Sequence, residues 1–365
     1  MSRYLIIGSG LIGRLTAWRL LVDGHQVSIL SKDDKQGTDS AGFVAASMVA
    51  PATEAISAEP MVKTVGLRSY ALWPQWLKQL PEPVFYRDHG TLVVAHAGDE
   101  SEMARYQRRA SHLLEDSDFR LLDHQALTDR EPELADNFRQ AMWFEQESCL
   151  DNRQLYRQLG ELLQAYCDWQ QTGDIGELNQ AEIDCLCQQY LNCRADQFDE
   201  VIDCRGNGGK TNLSNLRSVR GEVIRVQAPE VNFKHAVRLM HPRYPFYLAP
   251  RPGNEYVLGA TVIESDDRSA VTVRSGLELM SALYSLHKGF AEARIIEMTA
   301  HCRPGLPDNM PTIKRTDWGY IVNGFYRHGY LFGPAVVQDL TRLLAGQPEQ
   351  VDFGELYELT TTDSI

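Results

Sequence analysis

Tyr4-Leu-Ile-Ile-Gly8-Ser-Gly10-Leu-Ile-Gly13-Arg-Leu-Thr-Ala17-Trp-Arg-Leu20, followed by Asp23-Gly24-His-Gln-Val27-Ser-Ile-Leu30, is the stretch on which the reading of this chain turns. Residues 4–7 form a short continuous apolar run, the mark of a strand buried on both faces. Leu11, Ile12, Leu15, Trp18, Leu21 and Val22 then recur at helical spacing and stop at Gly24. Val27 to Leu30 reads as a second buried strand. The GxGxxG glycines therefore lie between strand and helix inside a βαβ unit, the context in which that motif seats a dinucleotide. Gly8 permits the tight turn, Gly10 lets backbone approach a pyrophosphate, and Gly13 brings the helix close to the strand. The phosphates would rest on the free N–H groups at the start of the helix, so Leu11 and Ile12 join the glycines as candidate cofactor-binding residues. A glycine-rich turn in an unrelated α/β fold is the competing reading.

An acidic residue is expected after the second strand to bind ribose hydroxyls, yet Ser31 stands there, with Lys32, Asp33 and Asp34 behind it. Ser31 and Lys32 are taken as the cofactor-binding candidates at this position. Asp33 and Asp34 read equally well as ribose ligands or as a solvated turn.

The chain has 365 residues, room for two packed domains, and its 36 Lys+Arg against 49 Asp+Glu leave a net charge of −13. With no basic run, a nucleic-acid or anionic-membrane partner is not expected. No export signal and no stretch of membrane-spanning length is read, and a cytoplasmic protein is expected. Seven cysteines form neither a disulfide framework nor a CxxC pair, and the histidines show no ligand spacing, so no metal is expected.

Further along, Ser40 to Pro51 is rich in small residues, suited to close approach of a flat ligand or to a buried helix start. Phe85 to Val94 reads as a hairpin after a helix end, and residues 99–140 as a charged, helical edge and cover. Asp199 to Gly209 reads as a strand entering a glycine turn, a return to the first sheet. Val219–Val226 and Tyr247–Ala260 alternate as strands joined by tight turns. Two interleaved domains fit this order better than two beads on a string.

Together with Arg303-Pro-Gly305 and Asn323-Gly-Phe-Tyr-Arg327-His-Gly329, these pieces resemble the FAD-dependent D-amino-acid oxidase family, nearest to glycine oxidase and further from sarcosine oxidase. The resemblance runs in order through GxGxxG, Ala45-Ala46-Ser47-Met48, Arg220-Gly221-Glu222, Tyr247-Leu-Ala-Pro-Arg251, Gly259-Ala260-Thr261, Arg303-Pro304-Gly305 and the loop from Arg327. It implies an α/β fold of the glutathione-reductase type. A Rossmann-like FAD-binding domain (1–80, 145–218, 303–365) would interleave with an antiparallel-sheet substrate domain (81–144, 219–302).

The resemblance also implies roles. Arg303 would hold a substrate carboxylate, Tyr247 would hydrogen-bond the same group, and Arg327 would be a second arginine beside it. Arginine's planar fork suits a carboxylate independently of the analogy, although a salt bridge is the other reading of Arg303. Cofactor contacts would come from Ala46, Ser47, Met48, Gly206, Arg303, Arg327, His328, Gly329, Tyr330 and Leu331. The segment Gly333 to Gly346 reads as a helix with Pro334 near its first turn, its positive end facing the flavin's pyrimidine edge.

The implied activity is oxidation of the CH–NH bond of a small amino acid or amine by hydride transfer to flavin N5, with O2 returning the flavin to its oxidised state as H2O2. The alternative substrate is a residue of a partner protein during its maturation. Cys302 is one residue out of register with the covalent attachment of monomeric sarcosine oxidase, so noncovalent FAD is expected. Ser31, Arg205, and Pro245 with Phe246 depart from the family pattern. A nicotinamide-dependent reductase is disfavoured by the absence of a second GxGxxG and of a redox CxxC.

Overall fold

A computed structural model describes residues 1–241 and 245–359. The chain folds as two compact units: Met1–Phe43, Arg153–Val219 and Cys302–Ile365 in the first, Val44–Asn152 and Arg220–His301 in the second.

The first unit is built on a six-stranded sheet. Its strands are β1 (Arg3–Ile7), β2 (Gln26–Ser31), β3 (Asp168–Gln171), β4 (Glu200–Asp203), β5 (Thr312–Arg315) and β6 (Gly319–Asn323). They lie in the order β5-β6-β4-β1-β2-β3, parallel except for the β5–β6 pair. A parallel interior strand is covered on both faces, which is why Tyr4 to Ile7 are all apolar and all buried. Helix α1 (Leu11–Val22) links β1 to β2, and helices α2 (Asn152–Tyr166) and α3 (Gly329–Leu344) follow later in the chain. At the end of α1, Gly24 takes φ +82°, and the Gly24 and His25 N–H groups return to Leu21 O and Leu20 O, closing the helix with a left-handed residue.

The second unit centres on a nine-stranded sheet running Ile263–Glu264, Arg217–Gln227, Glu255–Gly259, Phe246–Arg251, Ala236–Leu239, Thr91–Val94, Ala141–Phe144 and Arg120–Leu122, with Arg294–Gly305 joined to Arg217–Gln227. Most pairs are antiparallel; Ala236–Leu239 and Thr91–Val94 are parallel. Strand periodicity sends Leu92 and Val94 to one core with Phe246, Leu248 and Leu283, while Val93 faces another with Ala52, Ile56, Tyr106 and Met142.

Three sequence readings are corrected. Residues 85–94 are no hairpin: Tyr86–Arg87 pairs with Ser148–Leu150 in a separate three-stranded sheet, whereas Thr91–Val94 pairs with Ala141–Phe144 and Ala236–Leu239. The C-terminal helix starts at Gly329, four residues before Gly333, so Pro334 lies inside it and not in its first turn. Residues 44–80 and 145–152 fall in the second unit, because Ala52 and Ile56 pack into the core of its sheet with Val93 and Phe144.

Candidate functional site

Four loops gather at the carboxyl ends of the parallel strands β1, β2, β4 and β6, where open α/β sheets bind ligands. The loop after β1 holds the glycines. Gly8 has φ +103°, and a Cβ there would lie 2.8 Å from the Cys204 and Arg205 backbone. A Cβ on Gly13 would meet Gly8 O at 1.9 Å, so helix and strand approach closer than any side chain allows. Gly10 differs: a Cβ would meet only Ser40 Cβ, at 4.0 Å, which leaves open space over the backbone. As N-cap of α1 it offers no side-chain acceptor, and the first turn holds no acidic residue. Apart from the Leu11 N–H, which meets the Tyr156 hydroxyl, the N–H groups of this turn and the positive helix end are available to an anion.

The loop is held from below. Arg14, wholly buried, donates from Nε to Ser9 O at 2.8 Å and from Nη2 to Lys35 O at 3.0 Å, while its guanidinium lies 4.8 Å and 5.0 Å from the Tyr156 and Trp169 ring centres. Burial pulls its pKa below the ordinary arginine value. Ser31 is buried, and its Oγ accepts from Ser9 N at 3.1 Å and Ser9 Oγ at 2.7 Å. The serine that replaces the usual acid thus ties the end of β2 to the glycine loop.

Asp33 and Asp34 close the turn after β2. Asp33 Oδ1 accepts from Asp34 N and Asp39 N, and Asp34 accepts from Gly37 N, Thr38 N and Thr38 Oγ1. Burial opposes ionisation of Asp34, but the Thr38 and Gly37 donors outweigh it and hold the carboxyl below its usual range. Lys32 is half exposed and pairs with Asp174 at 2.7 Å.

After β4, Asp203 is buried and receives Arg205 N, Nε and Nη2 at 3.0, 2.9 and 2.8 Å, so the departure at Arg205 is a local clamp. Gly206 follows with φ +57°, its carbonyl accepting from Asn323 Nδ2 at 2.9 Å. Asn207 Nδ2 donates to Cys302 O at 2.8 Å, which brings the strand end carrying Arg303 beside this loop. The loop after β6 reaches the same strand end: Gly305 bridges Phe325, and Tyr326 N donates to Pro304 O at 2.7 Å. Arg303 and Arg327, both half-buried, therefore sit on adjoining backbone segments.

Helix α3 starts immediately afterwards. Its N-cap is the buried His328, without a side-chain cap bond, and no acidic residue lies in its first turn. A Cβ on Gly329 would touch Leu11 Cδ2 at 3.5 Å, and one on Gly333 would reach Leu15 at 3.1 Å and Ile12 at 3.5 Å. The starts of α1 and α3 thus lie side by side, with Leu11 and Ile12 packing by side chain and leaving their backbone N–H groups at the helix end. Tyr330 Oη donates to Gly42 O at 2.8 Å, and both Tyr330 and Leu331 are buried.

In the second unit, Ser47 has φ +51° and its Oγ accepts from Arg251 Nη2 at 2.8 Å, while the same Nη2 bonds Ala46 O at 2.6 Å; Met48 pairs with Cys149. The Arg220-Gly221-Glu222 and Gly259-Ala260-Thr261 motifs form one bonded group. Arg220 Nη2 meets Glu222 Oε1 at 2.8 Å, and Thr261 Oγ1 both accepts from Glu222 N and donates to Glu222 Oε2. Tyr247 is buried in a polar cluster: its Oη donates to Glu54 Oε1 at 2.7 Å, accepts from Arg238 Nη1 at 2.9 Å and lies 2.9 Å from Thr53 Oγ1. Burial raises its pKa well above the ordinary phenol value.

Sequence reasoning missed Arg14, Asp203, Thr53, Glu54, Glu147 and Arg238, all buried polar groups. Arg14 had a signal, since a cation directly after the third glycine lies on the helix turn that packs beneath the loop. The others are unremarkable in sequence and acquire partners only through folding.

Uncapped helix starts, glycine backbone open to a ligand and the adjoining arginines fit a phosphate-bearing cofactor and an anionic substrate. Residues 3–343 match the family described as FAD dependent oxidoreductase, DAO. A Rhizobium etli protein named as the thiamine biosynthesis oxidoreductase ThiO is 39% identical over 351 residues, covering 95% of this chain and 99% of that protein. The fold matches glycine oxidase from Geobacillus kaustophilus with a TM-score of 0.80 at 20% identity, covering 100% of both chains. It also matches iminodiacetate oxidase from Chelativorans sp. BNC1 with a TM-score of 0.78 at 22% identity, covering 98% of this chain and 99% of that one.

Proposed function

Because the chain belongs to the FAD dependent oxidoreductase family, we propose that it oxidises the CH–NH bond of a small carboxylate-bearing amine, of the glycine, sarcosine or D-amino-acid type. The observation that carries this reading is that the backbone segments bearing Arg303 and Arg327 adjoin at the start of α3. Two guanidinium forks beside a positive helix end select an anionic substrate in a chain whose net charge is −13. Arg303 holds the carboxylate and Arg327 seconds it; between them they orient the substrate and present its α-carbon.

FAD, when bound, supplies the two-electron acceptor. The residues that would hold it are the Gly8, Gly10 and Gly13 backbone with Leu11 and the Ile12 N–H group, Ser31 and Lys32 after β2, Gly206, and His328 to Leu331. Uncapped N–H groups in the first turn of α3 stabilise negative charge on a ligand there. The assignments of Ala46, Ser47 and Met48 to the cofactor, and of Tyr247 to the substrate, rest on the resemblance alone. The imine released by oxidation hydrolyses to a keto acid and ammonia or an amine, and O2 takes the electrons to give H2O2. The similar proteins are named as oxidases of glycine and of iminodiacetate, both small molecules, which supports a free amine over a protein-bound residue.

Among the described residues no helix is long and apolar enough to cross a membrane. All seven cysteines are free thiols, which supports the reducing cytoplasm as the compartment.

The test is anaerobic mixing of the yellow holoenzyme with glycine, sarcosine, iminodiacetate and small D-amino acids. At least one bleaches the flavin, and Arg303→Lys raises its KM by about 100-fold through loss of the bidentate fork. If no member of the panel reduces the flavin, the reading fails.

A further inference from the structure

The second unit contains a buried chain of four oxygens. Glu147 Oε2 lies 3.0 Å from Thr53 Oγ1, Thr53 Oγ1 lies 2.9 Å from Tyr247 Oη, and Tyr247 Oη lies 2.7 Å from Glu54 Oε1. Two oxygens hold such distances only with a proton between them. Three contacts need three protons, and the Thr53 and Tyr247 hydroxyls bring two. A carboxyl must supply the third. We propose that Glu54 and Glu147 share one proton through Thr53 and Tyr247, and that its position along the chain sets the direction in which the Tyr247 hydroxyl points.

Charge balance agrees. Arg238 is 1% exposed, donates from Nη1 to Tyr247 Oη and to Thr53 O, and lies 3.6 Å from Glu54 Oε1. It also donates from Nη2 to Ser57 Oγ at 3.4 Å and lies 5.1 Å from the ring of Tyr106, whose hydroxyl donates to Thr53 O. One cation against one carboxylate leaves the cluster neutral. Ionising both carboxyls would bury a net negative charge away from water.

The geometry also places the proton. Glu147 Oε1 accepts from Thr53 N at 2.7 Å, which leaves Oε2 as the hydroxyl oxygen. Full burial raises the Glu147 carboxyl to about 7, against the pull of the Thr53 backbone, the Thr91 and Thr53 hydroxyls and Arg238, whereas Glu54 is the carboxylate nearest the cation. In the resting arrangement Glu147 donates to Thr53, Thr53 to Tyr247, and Tyr247 to Glu54. With Arg238 and Thr53 donating in and Glu54 accepting, the Tyr247 hydroxyl has no donor left for a ligand.

The consequence rests on the reading of Tyr247 as a carboxylate ligand. When the proton passes from Glu147 to Glu54, each O–H in the chain reverses: Glu54 donates to Tyr247, Tyr247 to Thr53 and Thr53 to Glu147, so the Tyr247 proton leaves Glu54 and a ligand oxygen receives it by taking the place of Thr53. Protons are conserved and no electrons move. Glu54, Thr53 and Glu147 are thus positioning residues that act through Tyr247.

The first arm of the test needs no substrate. Infrared spectra of holoenzyme carrying carboxyl-13C glutamate, taken in H2O and D2O at about pH 6, above the ordinary glutamate value, show an isotope-shifted protonated-carboxyl band. The band is absent in Glu147→Gln. A wild-type spectrum without that band overturns the proposal, and so does its persistence in the variant.

The second arm reads the positioning. Thr53→Val cuts the chain and raises KM for the reducing amine about tenfold with kcat within about threefold, and Thr53→Ser restores it. An unchanged KM in Thr53→Val refutes the positioning role. If no amine reduces the flavin, the proposed function has failed while the infrared arm still decides the shared proton.

Discussion

Replacing Gly10 with alanine separates cofactor binding from folding. Gly10 has φ −67° and ψ −171°, an extended conformation that alanine adopts without strain, and the added methyl would meet only Ser40 Cβ at 4.0 Å. The apoprotein therefore loses almost nothing, and its Tm stays within about 2 °C of wild type, under 1 kcal/mol. With the pyrophosphate on this loop, as proposed, the methyl would stand where the phosphates approach the backbone. Pushing the phosphates outward weakens about two charge-assisted N–H bonds at the start of α1, each contributing about 1.5–3 kcal/mol. The sum, about 3–6 kcal/mol, raises the FAD Kd by about 10²–10⁴-fold.

Gly13→Ala makes the contrast. Its methyl would lie 1.9 Å from Gly8 O, so backbone must move. Overpacking costs about 1–3 kcal/mol, offset in part by the roughly 1 kcal/mol better helix propensity of alanine. Gly13→Ala thus lowers apoprotein stability as well as FAD affinity. Flavin-fluorescence titration of the apoproteins and their thermal melts provide both quantities. An FAD Kd for Gly10→Ala within about threefold of wild type would refute the assignment of this loop to the pyrophosphate.

Two stability predictions follow from buried charges. Arg14→Met strands the Ser9 and Lys35 carbonyls and removes the cation between two rings, at a cost of about 3 kcal/mol. A thermal melt should show a drop of roughly 6–12 °C, and a change under about 2 °C contradicts the role given to Arg14. Glu147 has a folded pKa of about 7 against an ordinary 4.5, so the stability from its protonated form is present below 4.5 and is lost as pH rises through 7. At 1.36 kcal/mol per pH unit that interval is roughly 3 kcal/mol. Melts of wild type and Glu147→Gln should therefore converge or cross between about pH 5 and 8, and a difference independent of pH excludes the raised value.

Much of the first unit was legible because its signals are local. A glycine turn needs φ above zero at Gly8, a parallel strand needs an unbroken apolar run at residues 4–7, and both requirements are written in consecutive residues. The hairpin expected at 85–94 failed for the opposite reason. Two short strands separated by a glycine look alike whether they pair with each other or, as here, with Ser148–Leu150 and Ala141–Phe144 from far along the chain. The late start assigned to α3 came from reading Pro334 as a first-turn residue, whereas the helix carries it beyond its first turn.

The amino-acid sequence by itself determined the βαβ unit and the glycine loop, since each depends on residue type and on spacing within one element. Tertiary structure alone decided which of the polar residues matter. Ser31, a cofactor-binding candidate by sequence, also ties the loop to β2 through Ser9; Arg205, read as a departure, clamps Asp203. Tyr247 acquires its proton partners from Thr53, Glu54, Glu147 and Arg238, residues up to 194 positions away. A hydrogen bond is a relation between two atoms within about 3 Å, and sequence separation carries no information about which atoms folding will bring that close.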